Sequence, residues 1–349
     1  QVLALKQFFA GRNVTVLLID DLAGRAPERD NHLHSLCHGV ITLERLTLDF
    51  GAARRRLQVQ KLRGVDFIGG YHDFAIRKGG LEVYPRLIAA SHHVEFKGEA
   101  VRSGVGELDE LLGGGPLKGT TTLITGPAGS GKTTLTLIYL AAACSRGEKC
   151  TIYEFDERIG TLLTRAKSMG LELGHYIDSG QLLILQIDPG EVSPGEFTWR
   201  VRADVEERGA SMIVVDSLNG YMTAMPQEQQ LLLQMHELLS YLSHLGVVTF
   251  LIGLQHGLVG SLETSLDISY VADSVILIRF FEAQGRLRKA ISVLKHRSGA
   301  HENAIRELRI DSQGLRVGEP LVDFRGVLTG TPEYFGSDAP LLEERKRDR

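Results

Sequence analysis

Cysteine is scarce in this chain. Only Cys37, Cys144 and Cys150 occur in 349 residues, with no C-x-x-C pair. That argues against a disulfide framework and points to a reducing, cytoplasmic setting. Long apolar runs are missing too. Stretches such as Val247–Ile252 are far too short to cross a bilayer, so no membrane partner is expected. Nor is one sign of charge in excess: 39 basic against 43 acidic side chains leave a net charge of −4. This balance disfavours a protein whose main task is coating nucleic acid, while leaving room for a local basic groove. What is present is core material. Hydrophobic residues make up 43%, which excludes wholesale disorder, and the length suggests roughly two domains at about 150 residues each.

The sequence matches itself at an offset of 234. Val14–Leu18 falls on Val248–Ile252, and Lys61-Leu62-Arg63 falls on Lys295-His296-Arg297. Between these anchors Leu43, Arg45, Gly51, Arg54 and Val59 fall without a gap on Leu277, Arg279, Gly285, Arg288 and Val293. Such agreement predicts duplication of a domain about 230 residues long. Gln1 falls on Met235, so the chain is expected to enter partway through a first copy. Residues 1–97 are read as the C-terminal part of that copy, 98–335 as a complete second domain, and 336–349 as a charged tail.

In the second domain, apolar β-branched runs alternate with segments rich in helix formers. Strands are expected at Thr120–Thr125, Cys150–Phe155, Leu182–Ile187, Met212–Val215 and Val247–Ile252. Helices are expected at Lys132–Ser145, Arg158–Met169, Pro194–Arg208 and Gln227–Leu245. This order implies an α/β fold with a mostly parallel sheet flanked by helices. After Asp273 the pattern changes to Ser274–Phe281, Leu287–Lys295 and Ile305–Asp311, an antiparallel extension with a hairpin turn at Gln284-Gly285.

Between the first strand and first helix lies Gly126-Pro127-Ala128-Gly129-Ser130-Gly131-Lys132-Thr133-Thr134, a full match to G-x-x-x-x-G-K-[ST]. The glycines allow successive backbone N–H groups to face one concavity, and the following helix adds its positive N-terminal end. Lys132 supplies a cation for the outer phosphates of ATP and Thr133 a hydroxyl for Mg²⁺. Asp216 ends the apolar run Met212–Val215, where an acid can hold the same ion through water. Asp156 and Glu157 follow the second strand, on the edge where α/β sheets bind ligands. One of them can activate water, or the pair can stabilise a helix N-terminus.

These motifs, in order, resemble the KaiC branch of RecA-like ATPases. The resemblance also rests on Gly104–Gly115, Val215-Asp216-Ser217 and the Lys295-His296-Arg297 triplet. It implies a RecA-like P-loop fold with a partial tandem repeat, ATP and Mg²⁺ as cofactors, and self-association into hexameric rings with nucleotide between protomers. It also implies a catalytic acid within Asp156-Glu157; Asp156 stands where the family has Glu, so turnover would depend more on Glu157 or be slow. Lys295 and Arg297 would reach the phosphate held by the neighbouring protomer. Their two-residue spacing on an expected strand places both on one face. Ser269 falls at a self-phosphorylation position of the clock members, but its neighbour is Tyr270 rather than Thr. A signalling role toward an unknown partner protein follows; a circadian oscillator is not expected.

Other features carry less chemistry. His32, His34, Cys37 and His38 crowd one segment without the paired thiolates of structural zinc. Arg54-Arg55-Arg56 reads as a solvated or interfacial charge run. Gln255-His256 occupies the place of a γ-phosphate sensor. Three functions remain open: a ring ATPase with serine autokinase activity, a nucleotide-gated interaction module with negligible hydrolysis, and a DNA recombinase.

Overall fold

The computed structural model describes residues 2–9, 12–21, 31–47, 51–89, 94–95, 97–223, 229–255, 270–328 and 332–336. The chain divides into two compact units, Gln1–Arg86 and Leu87–Arg349.

The first unit holds two helices, α1 (Val2–Phe9) and α2 (Asn31–Leu36), and the strands β1 (Gly39–Leu46), β2 (Arg54–Leu62), β3 (Tyr71–Arg77) and β4 (Gly80–Tyr84). The strands form one antiparallel sheet in sequence order. Val14–Leu18, whose counterpart is expected to be a strand, forms none. Leu17 and Ile19 are almost fully exposed, because no described strand lies beside this run and an unpaired strand has no ladder to satisfy its backbone.

The second unit opens with α3 (Gly106–Leu111), β5 (Thr121–Gly126), α4 (Lys132–Ser145), β6 (Lys149–Glu154), α5 (Ile159–Ser168), α6 (Gly174–Asp178) and β7 (Leu182–Gln186). It continues with α7 (Pro194–Ala203), β8 (Ala210–Asp216), α8 (Leu218–Thr223), α9 (Gln229–His244) and β9 (Val248–Leu254). The helix expected over Pro194–Arg208 widens into a π turn at Asp204–Arg208. Four strands follow: β10 (Ser274–Ala283), β11 (Arg286–His296), β12 (Arg306–Asp311) and β13 (Gly314–Pro320). One nine-stranded sheet has the order β13-β12-β11-β10-β5-β9-β8-β6-β7. The six strands from β10 to β7 are parallel to their neighbours, and β11 to β13 extend the sheet antiparallel. This is the mostly parallel α/β architecture of RecA-like P-loop proteins. Two apolar layers cover it: one contains α3, α4 and α5 residues such as Leu108, Leu135 and Leu162, the other α7 and α9 residues such as Phe197 and Leu238.

The unit boundary falls earlier than residue 97. Leu87 and Ala89 are buried in the second layer. Ala89 N–H donates to Glu237 at 3.2 Å, and Val94 N–H to the His244 carbonyl at 3.0 Å. These bonds to α9 fix the connecting segment to the second unit.

The two antiparallel sheets share a pairing pattern. Arg56 faces Asp73, Phe74 faces Val83 and Arg77 faces Gly80. Ala290 faces Glu307, Leu308 faces Val317 and Asp311 faces Gly314, each 234 residues on. Both first hairpins carry a bulge, between Val40 and Ile41 and between Val275 and Ile276. The ungapped comparison does need one correction. Leu43 faces Leu57 and Ile278 faces Ile291, so β1 corresponds to β10 with one extra residue of offset. The Leu43–Leu277 and Arg45–Arg279 identities therefore lie one position out of step, because seven residues separate the paired Leu46 and Arg54 while six separate the equivalent pair Phe281 and Arg288.

Candidate active site

The phosphate loop joins β5 to α4 as expected. Gly126 (φ 154°) and Gly131 (φ 110°) take backbone angles that favour glycine. A Cβ at Gly126 would collide with the Ile278 carbonyl, and one at Gly131 with the Ile310 side chain. The loop is thus pressed against the sheet extension and α4 begins where the loop ends. Ala128 and Gly129 form its exposed turn, while Pro127, Ser130 and Thr134 are buried.

Lys132 is buried, and its Nζ donates to the Gly126 and Pro127 carbonyls at 2.9 and 2.8 Å. Burial lowers its pKa to about 8, against the opposing pull of Asp216. Two loop carbonyls thus stand in for anionic oxygens around a desolvated ammonium. Ser130 Oγ is buried and without a partner. A cavity of about 250 Å³ opens here, lined by Gly131, Lys132, Thr134, Arg165, Lys289 and Ile310 among others.

Thr133 Oγ1 donates to Asp216 Oδ2 at 2.6 Å, across 83 positions of sequence. Burial, reinforced by Asp156, holds the Asp216 carboxyl above its ordinary range despite the Thr133 bond. The Asp216–Ser217 peptide is cis. A hydroxyl and an acid converging at the loop fit Mg²⁺, which takes one or two carboxylates plus phosphate and water rather than an all-protein cage.

Asp156 and Glu157 lie just beyond β6, and both are engaged. Ser217 Oγ donates to Asp156 Oδ2. Arg165, from α5, pairs with Glu157 at 2.8 Å. Sequence reasoning missed Arg165 and Lys289, which sit on separate elements and show no motif. It also missed Glu154, the last residue of β6. Glu154 is 1% exposed. Its Oε1 accepts from the Glu157 and Asp156 backbone amides at 2.9 and 3.3 Å. Burial, with Asp216 beside it, holds this carboxyl well above the usual range. An acid closing an apolar strand next to an acid pair was the available signal.

The structure does not bring Lys295 and Arg297 to this loop. β10 pairs Ser274 with Thr122, near the start of β5, and Val275 pairs with Lys295. The phosphate loop lies at the opposite end of β5, more than about 10 Å away at roughly 3.3 Å per residue. Lys295 Nζ donates to the Ala272 carbonyl at 2.6 Å. β11 ends at His296, so Arg297 stands one residue beyond the strand rather than on it. Gln255 N–H donates to the Gly126 carbonyl at 3.2 Å; His256 lies outside the described residues, as do Ser269 and residues 337–349. Among the described residues no three His, Cys, Asp or Glu side chains are arranged to hold a metal ion. No helix among them is long and apolar enough to cross a membrane. Arg54 corrects the reading of the arginine run: it is buried. Arg56 pairs with Glu44 and stacks on Tyr71.

Sheet order, loop and acid together define a RecA-like P-loop ATPase domain. A family described as "ATPase: KaiC" matches residues 101–322, and the chain belongs to the KaiC family. It is 30% identical over 295 residues to the circadian clock protein KaiC2 of Synechocystis sp., covering 84% of this chain and 51% of that protein. It is 28% identical to KaiC3 of the same organism, covering 80% and 56%. With the circadian clock oscillator protein KaiC of Synechococcus elongatus it shares 26% identity, covering 97% and 64%. The chain thus spans between half and two thirds of the length of these relatives.

Proposed function

We propose that this chain binds and hydrolyses Mg²⁺–ATP at Gly126–Thr134, in a ring of identical copies. The observation that carries the reading is the 2.6 Å bond between Thr133 and Asp216, which assembles the two ion-holding groups from separate elements beside a lysine already seated on the loop. On ATP binding, the Lys132 ammonium exchanges the Gly126 and Pro127 carbonyls for phosphate oxygens, and Ser130 gains a partner. Bound Mg²⁺ would neutralise charge on the phosphates. Glu157 orients the attacking water once its ion pair with Arg165 opens. Lys295 and Arg297, remote from their own chain's loop, serve the neighbouring copy's nucleotide. Supporting a tandem origin, the antiparallel sheet of residues 39–84 repeats the pairing of β10 to β13, and Lys61 and Arg63 occupy the places of Lys295 and Arg297. Serine autokinase activity at Ser269 and signalling to a partner protein extend the same reading and rest on the family resemblance.

The test is direct. Lys132→Ala abolishes tight ATP binding, whereas Glu157→Gln binds ATP and loses phosphate release. Equal loss of both properties in the Glu157 variant would contradict its role. Mixing Lys132→Ala with Arg297→Ala chains restores about a quarter of the interfaces if each site needs two copies; no recovery would refute sharing. Mass analysis of the Ser269 peptide after incubation with ATP tests the kinase.

A second reading has two observations in its favour. Glu157 is held by Arg165, and Asp156 is one methylene shorter than the family's Glu. A nucleotide-gated module would use the same loop but release phosphate at background rates.

A further inference from the structure

Glu154 is an unusual side chain for the place it occupies. It is the register partner of Asp216 across the parallel strands β6 and β8, so both side chains leave the sheet on the same face. Oε1 is used by the two amides of Glu157 and Asp156. Oε2 is buried and has no hydrogen-bond partner. An orphaned carboxylate oxygen is expensive to bury, and a hydrophobic residue at this strand end would avoid it. The Phe155 amide bonds to the Asp216 carbonyl at 2.6 Å, which locks the two strand ends together and holds the two acids side by side.

We infer that Glu154 is an outer acid of the Mg²⁺ site, using its free oxygen to hold one of the ion's waters next to Thr133 and Asp216. This rests on the function proposed above. Mg²⁺ gives up water reluctantly and keeps several in its shell. Carboxylates that fix such waters tune affinity without touching the metal. The same side chain anchors the backbone of Asp156 and Glu157, so it ties the ion's position to that of the acid pair.

Binding of Mn²⁺, in place of Mg²⁺, is followed by the loss of the free-ion paramagnetic signal in the presence of a non-hydrolysable ATP analogue. Glu154→Gln retains an acceptor for the two amides and removes the charge. It is expected to weaken Mn²⁺ affinity about tenfold, with analogue affinity in EDTA unchanged. Glu154→Asp keeps the charge on a shorter arm and is expected to recover part of the loss. Wild-type Mn²⁺ affinity in the Gln variant would overturn the proposal, as would an Asp variant no better than Gln. Loss of analogue binding in EDTA would also overturn it, assigning Glu154 to loop shape alone. Failure of the wild-type chain to bind Mn²⁺ with the analogue would instead refute the nucleotide site itself.

Discussion

The sheet of β1 to β4 and the antiparallel run β10 to β13 have the same strand order, the same first-hairpin bulge and four matching apolar pairs. Ile41–Val59, Leu43–Leu57, Phe74–Val83 and Ile76–Leu81 correspond to Ile276–Val293, Ile278–Ile291, Leu308–Val317 and Ile310–Leu315. Their surroundings differ. Leu43 is 54% exposed and Leu81 54%, while Ile278 is 0% and Leu315 6%. In the second unit α3 and α4 contribute to the apolar layer over this face. Pairing register is written locally, by cross-strand contacts, turns and bulges. Burial is conferred by whichever layer packs on top.

The largest effect expected from breaking this comparison concerns the cations. Arg297→Ala should slow phosphate release by about 10³-fold if it acts as a finger in a neighbour's site. Arg63→Ala, at the matching place in the first unit, should leave release at the Gly126–Thr134 loop unchanged. Equal effects would remove the distinction between the two triplets.

Packing comes next. Ile278→Ala should destabilise the second unit by about 2–5 kcal/mol in denaturant titration. Leu43→Ala should stay within about 0.5 kcal/mol. If the two changes were equally damaging, a layer would cover the first sheet in solution.

The smallest effects separate the ion pairs. Arg288 and Glu307 pair at 2.9 Å with side chains 11% and 5% exposed. Glu307→Ala strands a buried guanidinium and should remove about 3 kcal/mol. Arg56→Ala breaks the more exposed pair with Glu44 and should change stability by about 1 kcal/mol or less. A reversed order would mean that Arg288 relaxes to solvent when its partner is removed.

Much of this was readable before any coordinates. Lys132–Ser145 is a helix with the expected ends, and Gln284-Gly285 does turn a hairpin, both residues having positive φ. The phosphate loop, Thr133 and Asp216 converge as their motif demands. β13 escaped notice because Gly314–Pro320 mixes glycine, charge and proline with only two apolar side chains in register. Val14–Leu18 shows the opposite case: its composition suits a buried strand, but among the described residues no strand pairs with it.

By itself, the sequence determined most of the strands and helices of the second unit's parallel sheet, where the phosphate loop begins, and which acid ends β8. Those features depend on neighbours a few residues away: periodicity, glycine freedom and capping. Only the tertiary structure decided that Glu154 is buried beside Asp216, that Arg165 holds Glu157, and that Lys295 stands at the far end of the sheet from its own loop. Each of those outcomes depends on elements distant in sequence meeting in space, and no local pattern encodes the desolvation or the partner that such a meeting imposes.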